Sequence, residues 1–197
     1  IRNLEAFVRR DRNHPCVFCY STGNEIPPAN CKKDEWGGGS PDGHTPERNA
    51  LFAWTIRAED PTRATAMGCS WTNGVPLGNY DGYDLTGWNY TELYQRMHAR
   101  KPSMPLVYSE SASALSGFGE YEIGKGPRRA WFGNRPWFAY DIGSWEVDSY
   151  DSLAAAWSDI PDVEFDRMER HRFVGGEFVW TGIDYLGEPT PWSMGMF

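Results

Sequence analysis

Two carboxylates stand apart by where they sit along the chain. Glu25 closes the run Ser21-Thr22-Gly23-Asn24-Glu25 directly after an apolar stretch, and Glu110 lies in Val107-Tyr108-Ser109-Glu110-Ser111 after another. When parallel strands stand side by side, residues at their C-terminal ends converge on one mouth, where chemistry is done. Two carboxyls across a sugar-sized pocket can split a glycosidic bond, one passing a proton and the other attacking carbon or activating water. Position alone is thin support. The chain has 27 Asp+Glu, and two strand-end glutamates also fit solvated surface groups.

The elements that would hold them can be read from periodicity. Leu4, Phe7 and Val8 line one face of an opening helix that ends near Asn13-His14-Pro15. Cys16–Ser21 reads as a buried strand. Thr45 as cap with Pro46 in the first turn begins a second helix, continuing through Leu51, Trp54 and Ala58 to Asp60-Pro61. Ala64–Cys69 and Tyr83–Gly87 read as strands, and Thr91-Glu92 opens a third helix with acids first and bases last, as the helix dipole favours. Leu106–Ser109 is the next strand. Ala112 to Asp148 is aromatic and glycine-rich without period, a long loop over a functional face. Helical stretches follow near Tyr150–Trp157 and Val163–Arg172, and Phe173–Trp180 is the last strand. Short, nearly all-apolar strands alternating with helices imply α/β architecture with a parallel sheet.

Five strands fall short of the eight of a closed (β/α)8 barrel, which typically takes about 250 residues. An opening helix with no strand before it favours a partial TIM barrel: about the last five strands with their helices, the first strands missing, all of residues 1–197 forming one domain.

Composition narrows the function classes. With 19 Lys+Arg against 27 Asp+Glu the net charge is −8, and no Lys/Arg-rich stretch suggests nucleic acid or an anionic membrane as partner. The longest apolar runs are far short of the roughly 18 residues that span a bilayer. No leader precedes Ile1, although the absent initiator Met leaves a lost one open. Cys16 and Cys19 form a C-x-x-C, but it lies in a strand-like run and no second pair completes a zinc site, so buried, inert thiols are expected. The compartment stays undetermined. The Asn30–His44 loop, rich in glycine and charge, is expected to be mobile.

Four motifs then carry a resemblance. Arg10-Asp11-Arg12-Asn13-His14-Pro15, followed by a strand and Gly23-Asn24-Glu25, resembles the acid/base signature of glycoside hydrolase family 2. Ser109-Glu110-Ser111 is similar to that family's nucleophile strand, and Gly87-Trp88-Asn89-Tyr90 to the strand end before it. The segment from Gly176-Glu177 through Trp180 and Asp184 to Pro191 resembles the last barrel strand and its loop in the β-galactosidase-like branch. The resemblance implies Glu25 as general acid/base, Glu110 as nucleophile and Asn24 as partner of the sugar's 2-hydroxyl. Tyr90 would hydrogen-bond the nucleophile and Trp180 would floor the sugar site, while Asp184 either touches substrate or only caps the exit turn. Glu25 must carry a proton when the glycosidic oxygen leaves, which apolar or anionic surroundings favour. Retention would follow, with the carboxyls roughly 5–5.5 Å apart.

The expected activity is thus a retaining exo-β-glycosidase acting on terminal β-D-galactosides. β-Glucuronidase, with Arg128, Arg129, Asn134 and Arg135 available to the C6 carboxylate, and β-mannosidase remain open alternatives. So do a sugar-binding module and a truncated, inactive piece. The visible residues require no cofactor or metal. A divalent metal in the full-length parent cannot be assigned to residues here, and its homo-oligomerisation stays open.

Overall fold

The computed structural model describes residues 1–29, 43–70, 75, 78–90, 92–115, 128–129, 153–154 and 158–182, with side chains omitted at 114–115, 128–129 and 153–154. The order is α1 (Arg2–Asp11), β1 (Cys19–Asn24), α2 (Pro46–Glu59), β2 (Ala64–Cys69), β3 (Thr86–Asn89), α3 (Tyr94–Arg100), β4 (Leu106–Ser111), β5 (Ala114–Leu115), β6 (Arg128–Arg129), β7 (Leu153–Ala154), α4 (Pro161–Arg170) and β8 (Val174–Val179). Five strands form one sheet in the order β1-β2-β3-β4-β8. The β1–β2 and β2–β3 pairs run parallel, with Tyr20 opposite Thr65 and Gly68 opposite Gly87. This is the α/β fold of a partial (β/α)8 barrel. The chain divides into two compact units, the first comprising 1–89, 93–107 and 173–176, the second 90–92, 108–172 and 177–197.

In the first unit, α1 packs Val8 on Tyr20 of β1 and Ile56 of α2, with Leu4, Phe7 and Val17 around them. Ala53 of α2 meets Met67 of β2 and Tyr83. Thr45 caps α2, its hydroxyl accepting from the Arg48 amide at 3.2 Å, and Pro46 occupies the first turn where its missing N–H costs nothing. Asn49, Ala53 and Ile56 point inward, while Leu51 and Trp54 are 47% and 66% exposed and Ala58 is exposed as well.

Several expected boundaries move, each for a local reason. The first strand starts at Cys19 rather than Cys16, because the Val17 carbonyl is taken by the Arg63 guanidinium at 2.6 Å instead of by a strand neighbour. The third begins at Thr86 rather than Tyr83, since the Asp84 and Leu85 amides both turn back to the Thr65 carbonyl. α3 starts at Tyr94, after Glu92, whose φ of 54° no right-handed helix admits. α4 starts two residues early, with Pro161 in its first turn. The helix expected near Tyr150–Trp157 is contradicted at Leu153–Ala154, which is a strand between β5 and β6 in a small three-stranded sheet. That sheet also places two strands within the stretch expected to be loop from Ala112 to Asp148.

Thiol burial is mixed. Cys69 is buried, its sulfur 2.7 Å from the Tyr80 hydroxyl, but Cys16 is exposed and Cys19 only half-buried. Cys31 and the Asn30–Asp42 part of the expected mobile loop lie outside the described residues. No helix among the described residues is long and apolar enough to cross a membrane.

Asp60 anchors the junction after α2. Burial would raise its pKa, but hydrogen bonds from the Thr62 hydroxyl and amide, Arg63 and the Tyr20 hydroxyl outweigh it and bring the value down to about 2. A carboxylate with a depressed folded pKa contributes stability above its unfolded value, and that stability is lost as pH falls toward the folded value. Thermal melts should therefore show stability falling by about 2 kcal/mol from this group as pH drops from about 5 to about 1. Asp60→Asn should be less stable at neutral pH and show a shallower acid slope; an unchanged slope would remove Asp60 from this role.

Candidate active site

In the first unit, the ends of β1 and β3 bring Asn24, Glu25 and Asn89 together. Asn89 is fully buried at the end of β3, and its amide nitrogen has two hydrogens to give. It donates one to Asn24 Oδ1 and one to Glu25 Oε1, both at 3.0 Å. Glu25 leaves the strand with a φ of 51°, and its amide donates to the Gly68 carbonyl of β2 at 3.0 Å. A side chain other than glycine held there costs of order 1 kcal/mol or more, which neighbouring contacts must offset. Glu25 itself is exposed.

In the second unit, Tyr90 and Glu110 meet. The Tyr90 hydroxyl donates to Glu110 Oε2 at 2.6 Å, and the Tyr90 amide donates to the Glu110 carbonyl at 2.8 Å. Tyr90 also has a left-handed φ, 56°. A charge-assisted O–H···O bond of this length favours an ionised carboxylate. In the first unit, Trp88 of β3 is fully buried, with its indole N–H donating to the Thr86 hydroxyl at 2.9 Å. Beyond Ser111 the chain turns through Ala112 with φ 48°. Trp180 follows β8, its amide donating to the Ser111 carbonyl at 2.8 Å while its side chain stays 41% exposed. Asp184 lies outside the described residues, as do Asn134 and Arg135, and the side chains of Arg128 and Arg129 are not described.

Two residues, one in each unit, escape a reading of sequence alone. Asn89 appears there only as a strand-end residue beside Tyr90; its signal is a buried amide at the same strand end. Glu177 of β8 gives no pattern at all. Among the described residues its carboxyl oxygens and the Ser111 hydroxyl are buried without a hydrogen-bond partner of good geometry, and burial pushes the Glu177 pKa up, with a further push from Glu164 and a counter-effect from nearby Ser111. Among the described residues, no group of three or more His, Cys, Asp or Glu could hold a metal ion.

Comparison with known proteins places these ends in context. No protein-family model matches the chain. A curated β-galactosidase of Bacteroides ovatus is 29% identical over 98% of this chain, which spans only about a quarter, 25%, of that relative's length. Among solved structures, a glycosyl hydrolase family 2 member from Bacteroides cellulosilyticus matches with a TM-score of 0.54 at 21% identity, over 96% of this chain and 17% of its own. A β-glucuronidase of Bacteroides uniformis matches with a TM-score of 0.57 at 20% identity, over 93% of this chain and 21% of its own. A β-D-glucuronidase of Dictyoglomus thermophilum gives 0.55 at 16%, over 99% and 31%. The fold is thus shared over nearly the whole chain with solved members of glycoside hydrolase family 2.

Glu177 gives a pH prediction with a sign. A carboxyl whose folded pKa is raised holds its proton to higher pH than in the unfolded chain, so its contribution favours folding at low pH and turns against it as pH rises above about 4.5. Glu177→Gln keeps the shape without the charge. Its melting temperature should match wild type near pH 4 and exceed it at pH 8; equal melting at both would show that Glu177 is not an uncompensated buried charge.

Proposed function

We propose that the protein carrying this chain is a retaining exo-β-glycosidase of family 2, most concretely a β-galactosidase, with Glu110 as nucleophile and Glu25 as general acid/base. The observation that most supports it is the 2.6 Å hydrogen bond from the Tyr90 phenol to the Glu110 carboxylate. A nucleophile must be ionised, and a phenol donor stabilises that form without neutralising it. The similarity to a β-galactosidase over 98% of this chain supports the choice of galactosides.

The chemistry then runs in two displacements. Glu25 gives its proton to the departing glycosidic oxygen while Glu110 attacks the anomeric carbon, forming a glycosyl ester and losing its charge. Glu25, now a carboxylate, takes a proton from water, which attacks the same carbon from the side opposite Glu110, breaks the ester to free Glu110 as a carboxylate and restores the starting configuration. Asn89 holds Asn24 and Glu25 in fixed orientation, leaving Asn24 to meet the 2-hydroxyl. Trp180, with an exposed indole, offers a flat face for the sugar's C–H side. Asp184 is kept as a candidate contact from the exit loop.

Two measurements on the full-length protein test this. A 2-deoxy-2-fluorogalactoside with a good leaving group should label Glu110 covalently, read by peptide mass spectrometry, and Glu110→Gln should lower kcat on the order of 10³-fold or more while substrate binding persists. Label on another residue, or NMR showing inverted configuration in the first-formed sugar, would overturn the assignment. Comparing nitrophenyl galactoside with nitrophenyl glucuronide and mannoside decides the sugar. Binding without turnover of any would favour the sugar-binding reading instead.

A further inference from the structure

Behind the Tyr90–Glu110 pair, the second unit carries a connected set of polar groups that the two-step chemistry does not use. Tyr108, two residues before Glu110 on β4, donates to Glu164 Oε2 at 3.0 Å, and Glu164 on α4 is fully buried. On the other side of Glu110, the Ser113 amide donates to the Ser158 hydroxyl at 3.1 Å, which itself reaches Glu164 Oε1 at 3.4 Å. Glu164 therefore holds β4 directly before Glu110 and, through Ser158, the chain just past the strand's end. Arg167, one turn along α4, donates to Glu164 Oε1 at 2.9 Å and to Asp159 Oδ2 at 3.0 Å. Its Nε also stands 3.9 Å from Glu92 Oε1, and Glu92, two residues after Tyr90, shares its left-handed backbone with a φ of 54°.

These contacts close a ring: Glu110 to Tyr90 by the phenol, Tyr90 to Glu92 along the chain, Glu92 to Arg167, Arg167 to Glu164, Glu164 to Tyr108, and Tyr108 back to Glu110 along β4. Without Arg167 the buried Glu164 would lose a cationic partner, and the Tyr90 turn would lose a tether to the helix that holds the strand. Held by one guanidinium, phenol and carboxylate are fixed relative to each other by something other than their own bond.

We propose that Arg167 is a positioning residue for the nucleophile, joining the turn that carries Tyr90 and the strand that carries Glu110 to α4 so that the phenol stays aimed at the carboxylate. The proposal rests on Glu110 being the nucleophile. Arg167 touches no reacting atom, so its effect must pass through the Tyr90–Glu110 bond. That separates it from a residue that merely keeps α4 folded. Around Arg167 stand Glu92, Asp159, Glu164 and His171, whose Nδ1 is 3.7 Å from Glu92 Oε1 and pairs with it when protonated. Around the end of β4 stand Tyr90 and, beside Ser111, Glu177.

The test uses the full-length protein with whichever nitrophenyl glycoside it hydrolyses, and compares Arg167→Met, Arg167→Lys and Glu92→Gln with wild type. Arg167→Met should lower kcat by about 10- to 100-fold with KM within about threefold, the cost of a small misplacement of reacting groups. The acid limb of its kcat/KM profile should move to higher pH, because a carboxylate less well served by its phenol holds its proton longer. Arg167→Lys should recover part of both effects, and Glu92→Gln should show the same shifts on a smaller scale. A lower melting temperature with kcat and the acid limb unchanged in Arg167→Met would overturn the proposal. If that variant does not fold, an unchanged acid limb in Glu92→Gln overturns it instead. Covalent labelling of wild type keeps the two readings apart: label on Glu110 with unaffected Arg167 variants sinks only the positioning role, whereas label elsewhere sinks the nucleophile assignment and the positioning role with it.

Discussion

A phenol 2.6 Å from a carboxylate, one just past the end of β3 and the other next to last in β4, requires the chain to turn sharply at both places. Much of the local structure serves that requirement. Tyr90 exchanges backbone contact with Glu110 as well as side-chain contact, its amide on the Glu110 carbonyl at 2.8 Å, so the turn is pinned at two points. Left-handed backbone at Tyr90 and Ala112 takes the chain out of the sheet within one residue on either strand. Each such residue costs of order 1 kcal/mol or more relative to relaxed backbone, and the strain persists because hydrogen bonds on both sides determine the conformation.

The same device recurs at the end of β1, where Glu25 adopts a φ of 51° and its amide reaches the Gly68 carbonyl. Three strand ends, three non-glycine residues in a region that favours glycine, and at two of them the residue or its bonded partner is a glutamate. A surface carboxylate needs no such arrangement, because solvent satisfies it in any backbone conformation. Strain at these positions is better explained by a demand on side-chain direction than by chance. The bland reading, in which strand-end glutamates are merely solvated, accounts neither for the Asn89 amide divided between Asn24 and Glu25 nor for the Tyr90 phenol on Glu110.

How much of this could be read beforehand depended on whether the cause was local. The strand Ala64–Cys69 is legible to the residue because its apolar run, its neighbours and its pairing agree. The cap at Thr45 is legible because capping is decided within four residues. The first strand is not, since the apolar run Cys16-Val17-Phe18 predicts sheet while a guanidinium 46 residues away takes the Val17 carbonyl and Phe18 is left 59% exposed. The buried face of α2 is hard to read for a related reason. Leu51, Trp54 and Ala58 have a helical period, yet Asn49 turns inward because His44 and the Asn79 carbonyl give its amide two buried partners, at 2.8 and 2.6 Å. Hydrophobic periodicity has no way to register a polar residue whose partners lie 5 and 30 positions off.

The site divides along the same line. Glu25, Glu110, Asn24, Tyr90 and Trp180 could be named from motifs because each sits at a strand end with a distinctive neighbour. Asn89 could have been named with them: an amide closing a buried strand next to a candidate tyrosine must find partners for two hydrogens, and the nearest strand end supplies two oxygens. Glu177 and Arg167 could not. One is an acid inside a run that reads as apolar strand, the other a basic residue in the last turn of a helix, where the dipole alone explains it. Their significance lies in what α4 and β8 bring beside β4. A buried Glu164 with a tyrosine, a serine and an arginine on it makes the helix answerable to the strand. A helix held only by apolar packing can slide by fractions of an ångström at little cost. One held by a buried, fully engaged carboxylate cannot, because any slip leaves a charge without its partners. That difference is what a nucleophile needs from the structure behind it.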